Sequence, residues 1–119
     1  METNDTAKTE ILQSCYDYFY RLVPGIEKLV ESLRQEPEQH LNKLADACEG
    51  VLWLASALSH TQDMHDISID FDYVEKNQRA ITDGMENRDY EYVAETLEFE
   101  VLPLLQSWFE ALDAQYSEG

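Results

Sequence analysis

Between Thr9 and about Gln35 the apolar residues Leu12, Cys15, Phe19, Leu22, Ile26, Leu29 and Leu33 recur at alternating steps of three and four. A half-buried strand would place one at every second position, so this register defines a helix with a single apolar face. That face has to be buried, and the same register further along the chain supplies helices to bury it against. Pro24 and Gly25 interrupt the stripe. Proline removes one backbone donor, which predicts a kink or short break within one helix rather than two helices. Pro37 stops the pattern and suits the first turn of the next helix.

The second helix, from about Glu38 to Ser59, carries Leu41, Leu44, Cys48, Val51, Ala55 and Leu58 on one face. A second apolar face follows Gly50, Trp53, Leu54 and Ala57, and from Ala47 to Leu58 the only charged residue is Glu49. A helix apolar nearly all round is central in a bundle or covered by another molecule. Ser59 to Asp70 keeps no helical period and reads as the one long, and most mobile, connection. A thinner third helix spans about Phe71 to Met85, with Phe71, Val74, Ile81 and Met85 on its buried side, and Gly84 with Glu86-Asn87-Arg88-Asp89 ends it. Asp89 is placed to cap the fourth helix, Tyr90 to about Gln115, whose inward residues are Ala94, Leu97, Val101, Leu104, Leu105, Trp108 and Leu112. Pro103 predicts a bend there. The expected fold is all-α, an up-and-down four-helix bundle with two proline-kinked long helices. Residues 1–8 are expected as a disordered N-terminus, 9–116 as the bundle domain and 117–119 as a C-terminal tail.

A chain of 119 residues supports one core. Its 8 Lys and Arg against 25 Asp and Glu give a net charge of -17, which disfavours nucleic-acid backbones and anionic membranes as partners. No run of ~18 apolar residues and no basic leader occurs, so a cytoplasmic protein is expected. Cys15 and Cys48 form no C-x-x-C pair and read as reduced thiols.

Chemistry-bearing patterns are thin. His60, Asp63, His65, Asp66, Asp70 and Asp72 gather imidazoles and carboxylates near one divalent-site composition, but without a calcium loop, H-E-x-x-H or Glu-x-x-His spacing. His40 invites comparison with histidine phosphotransfer domains, yet Leu44 stands where those domains place a glycine, and His40 opens a helix instead of lying mid-helix. The Arg34 to His40 spacing of a helical nuclease is split by Pro37, and the helical serines lack a nucleophile elbow. The expectation is a non-catalytic protein with no cofactor and no metal. A phosphotransfer-type signalling domain or a weak divalent-metal site is the alternative.

Binding features are stronger. Asp89 to Gly119 holds eight acids and no Lys or Arg, and Glu91, Glu95 and Glu98 are spaced as an exposed acidic stripe. Tyr16, Tyr18, Phe19 and Tyr20 crowd helix one, so some of these rings face outward. Trp53 is either an anchor for a partner or packing beneath Ile67 and Ile69. The candidate partner-binding residues are therefore Trp53, Gly50, Leu54, Ala57, Tyr20, Glu91, Glu95 and Glu98. Their expected partner is another protein's helix or a second copy forming a homodimer.

The segments Leu22-Val23-Pro24-Gly25-Ile26-Glu27, Leu44-Ala45-Asp46-Ala47-Cys48-Glu49-Gly50-Val51-Leu52-Trp53-Leu54 and Leu97-Glu98-Phe99-Glu100-Val101-Leu102-Pro103-Leu104-Leu105 resemble a small, uncharacterised, acidic all-helical family of Gram-positive bacteria. The resemblance covers about residues 11 to 112 and implies a cytosolic bacterial helical bundle without an assigned activity. In architecture and composition the chain is also similar to flagellar and type III export chaperones, which clasp amphipathic segments of their clients. No functional residue carries over from either resemblance.

Overall fold

A computed structural model describes the backbone of residues 2–118 and the side chains of residues 6–114, and every described element is helical. Helix α1 spans Glu2–Gln35 without interruption. At 1.5 Å per residue it is ~51 Å long, so it alone sets the 49 Å long dimension of the molecule. The segment expected as a disordered lead is thus helical from Glu2 onward, and Met1 lies outside the described residues. Lys8 explains part of this continuity by reaching Asp63 in the distant connection at 2.8 Å. Pro24 withdraws the donor that the Tyr20 carbonyl would otherwise receive, but the helical path runs through it.

Pro37–Gln39 forms a 3₁₀ turn, and α2 follows as Leu41–His60. The second helix therefore begins three residues later than its pattern suggested, because the turn uses Pro37, Glu38 and Gln39. A second 3₁₀ turn at Gln62–Met64 starts the connection to α3, Phe71–Glu86. Asp70 caps α3 by accepting from the Tyr73 amide at 3.1 Å. Its buried side is Val74, Asn77, Ile81 and Gly84. Phe71, expected in the core, lies on the exposed side, and the polar Asn77 takes an inward position instead.

Gly84 does not end α3. It sits inside the helix where α4 crosses closely, since a Cβ there would fall 2.5 Å from Val93 Cγ2. The chain reverses at Arg88, whose φ of 54° is left-handed. The Asp89 amide donates back to the Gly84 carbonyl at 2.8 Å, which closes the helix end. Asp89 then caps α4, Tyr90–Thr96, through the Tyr92 amide at 3.2 Å, as its position in the sequence suggested.

A π-helical turn, Leu97–Val101, joins α4 to α5, Leu102–Glu118. It lies immediately before Pro103, where the missing N–H already breaks the regular ladder. The Leu102 amide bonds to the Leu97 carbonyl five residues back, so these two leucines stack on one face and both are buried. That explains why Leu102 is buried whereas Leu104, expected inward, is only half covered. The core joins the α1 stripe to Leu44, Val51, Leu54 and Leu58 of α2, Val74 and Ile81 of α3, and Val93, Leu97, Leu105, Trp108 and Leu112 of the last helices.

The connection expected to be mobile is tied down by His65, which is buried. The Ile67 amide donates to His65 Nδ1 at 3.0 Å, which leaves the ring proton on Nε2, 2.8 Å from the Leu58 carbonyl. Thr61 donates its hydroxyl to the Ala57 carbonyl at 2.9 Å beside it.

Candidate functional site

The face between α1 and α2 is hollowed along much of its length. Two adjoining hollows of about 420 and 400 Å³ share Tyr18, Arg21 and Asp46. At one end the groove reaches Trp53, Glu49 and Ser14, and at the other it runs over Leu22, Ile26 and Ala47 toward His40. Trp53 is 46% exposed and meets Tyr18 edge-on, with ring centroids 5.7 Å apart and planes at 87°. The connection through Ile67 and Ile69 therefore does not cover it.

Gly50 explains how Tyr18 gets there. A Cβ at position 50 would lie 2.3 Å from the Tyr18 hydroxyl, so the phenol rests directly on the α2 backbone. The remaining residues of the second apolar face of α2 have another fate, because Leu54 and Ala57 are buried in the core and present nothing to a partner. A period of 3.6 residues places Trp53 and Leu54 about 100° apart, and the α1 packing direction falls between them.

Tyr20 is 61% exposed, but its ring stacks on Tyr16 at 5.5 Å and meets Phe109 edge-on at 5.2 Å. Tyr16 donates its hydroxyl to Asp113, and that bond holds its phenol well above the ordinary tyrosine range. Tyr20 therefore belongs to a cluster between α1 and α5, apart from Trp53.

The acidic stripe is not a free surface. Arg34 of α1 places Nε 3.2 Å from Glu91 and NH2 3.0 Å from Glu98, clamping α4 and the π turn to α1. Glu95 alone of the three is exposed without such a clamp. Counting charges along Asp89–Gly119 missed this, because the balancing cation comes from 57 residues away.

Neither cysteine is an activated thiol. Burial pushes both Cys15 and Cys48 up from 9.0 to about 11, so each is protonated at neutral pH. Among the described residues no group of three or more His, Cys, Asp or Glu is arranged to hold a metal ion. His65 spends both ring nitrogens on the connection, while His60 is exposed. His40 occupies the N-cap position of α2, half-buried, with no side-chain capping bond and with Nδ1 unpartnered.

Compared with known families, residues 10–111 match the Domain of unknown function (DUF8042). The chain belongs to that family. The matched span runs from α1 into α5 and takes in the whole α1/α2 groove, Trp53 included, so the groove is built entirely from the family domain. No curated protein and no solved structure matches the chain. None of the helices is long and apolar enough to cross a membrane among the described residues.

Proposed function

We propose that this DUF8042 domain is a non-catalytic protein-binding module, adaptor- or chaperone-like, that receives a helix of a partner protein in the α1/α2 groove. The observation that carries the reading is Trp53. It is a large aromatic, nearly half exposed, buttressed edge-on by Tyr18 over a glycine, at one end of a groove whose other end has an apolar floor. Aromatic anchors on rigid supports are the side chains from which interfaces draw most of their energy. An amphipathic helix laid along a groove between two helices would extend an up-and-down bundle by one member, using the packing that builds the domain itself. In this reading the two proline-bearing helices bend around the core and the protein works in the cytoplasm.

The test compares wild type with Trp53→Asp after circular dichroism shows that both are folded. Affinity capture should recover a partner with wild type and lose it with Trp53→Asp. A homodimer detected by light scattering and abolished by the same change would make the partner a second copy. Unfolding of Trp53→Asp, or equal recovery by both baits, contradicts the reading.

A further inference from the structure

Three of the eight Lys and Arg residues of a chain with net charge -17 line the part of the α1/α2 groove that leads to His40. They are Arg21 and Lys28 from α1 and Lys43 from the first turn of α2, and Asp46 is the only carboxylate among the lining residues. None of the three makes an ion pair among the described residues. With acids three times as frequent as bases, partners were within reach. Asp17 precedes Arg21 by four residues on the same helix, yet it accepts from Gln13 at 3.1 Å while the guanidinium lies 5.7 Å over the Tyr18 ring. Glu31 follows Lys28 by three residues and leaves it unpaired. The neighbouring carboxylates Glu27, Glu31 and Glu98 line a separate hollow on the other side of Lys28.

Two further features point to the same end of the groove. The α2 N-terminus carries no side-chain cap, so its first free N–H groups lie next to Lys43 and add positive potential. His40, at that N-cap, lines the groove and keeps a buried ring nitrogen without a partner. Gly25 opens the α1 wall, because nothing stands within 4 Å of where its Cβ would be. The floor beneath is apolar, from Leu22, Ile26, Leu29 and Ala47.

We infer that this end of the groove binds a small organic phosphate, its apolar body on the Leu22–Ile26–Ala47 floor and its dianionic head between Lys28 and Lys43 beside His40 at the α2 N-terminus. A volume of about 400 Å³ suits such a ligand. The two lysines supply point charges to the phosphate, and Arg21, over the Tyr18 ring, adds positive potential from the other end of the groove. The inference uses residues other than Trp53 and stands if the partner reading fails.

The test is an amide NMR titration of the full chain with phenyl phosphate at constant ionic strength, with benzoate and phenol as parallel probes. Phenyl phosphate should give saturable shifts confined to Arg21, Gly25, Lys28, His40 and Lys43. Lys28→Gln and Lys43→Gln, both at exposed sites, should each weaken it by roughly tenfold or more. Phe99→Asp, which shifts the charge by the same amount on the α3/α4 side, should leave the affinity within about twofold, which separates this site from a general charge effect. Linear, scattered shifts, equal saturation by phenol or benzoate, or binding indifferent to both lysine changes would overturn the inference.

Discussion

Two interhelical seams in this molecule each contain a glycine, and they are built to opposite ends. At the α3/α4 seam Gly84 faces Val93 Cγ2 and the Asp89 backbone carbonyl, at 2.5 and 3.2 Å from a notional Cβ. At the α1/α2 seam Gly50 faces only the tip of the Tyr18 side chain. The first glycine lets two backbones close on each other. The second lets the tip of one aromatic ring reach the α2 backbone in a groove that stays open and is lined by three cations without ion pairs among the described residues. The ion pairs that tie one helix to another among the described residues, Arg34 to Glu91 and Glu98, join α1 to α4 and the π turn and do not cross the open groove. A glycine in a helix therefore marks close approach, and the atom approaching it decides whether the seam is structural or available.

The largest expected effect is on the sealed seam. Gly84→Ala should destabilise the fold by about 1–3 kcal/mol, because Val93 and the Asp89 carbonyl cannot both retreat; urea denaturation measures it. Raising pH tests the packing beneath the seams, through Cys15 of α1 in the core and Cys48 of α2 packed against it. Their folded-state values of about 11 exceed 9.0, so above pH 9 the unfolded chain loses protons first and the folded state loses stability up to about pH 11. A Cys15→Ala, Cys48→Ala variant should show a flatter alkaline melting profile than wild type.

Smaller changes sharpen the contrast. Arg88→Gly should stabilise the α3/α4 turn by about 0.5–1 kcal/mol by relieving its left-handed backbone, read as a higher Tm. Gly50→Ala should change stability by less than about 1 kcal/mol, since alanine favours the helix and Tyr18 can swing aside. It should nevertheless alter Trp53 fluorescence by removing the edge-on ring. A loss as large as that for Gly84→Ala would erase the distinction between the seams.

Helix number, the α1 stripe, the Asp89 cap and most of the core were legible in the sequence, because periodicity of apolar residues and cap chemistry are local. Three things were not. The π turn before Pro103 moves Leu102 inward, and a fixed 3.6-residue period cannot report a five-residue turn. Leu54 and Ala57 shared a helical face with Trp53, but only the direction of α1 determines which of them it covers. Charge counting gave the overall sign and concealed both Arg34 clamping Glu91 and Glu98 and the cluster of Arg21, Lys28 and Lys43, because each joins residues from different helices.

Phe99 provides the control for the central claim, since at 66% exposed it is the most exposed large apolar residue described and lies on the α3/α4 side. The most direct measurement places the photo-crosslinker benzoylphenylalanine at position 53 or at position 99 of the full chain and irradiates each in cells. The account predicts a discrete crosslinked protein from position 53, suppressed by excess wild-type protein, and none from position 99. A discrete adduct from position 99 with none from position 53 would contradict it and move the binding surface to the other seam.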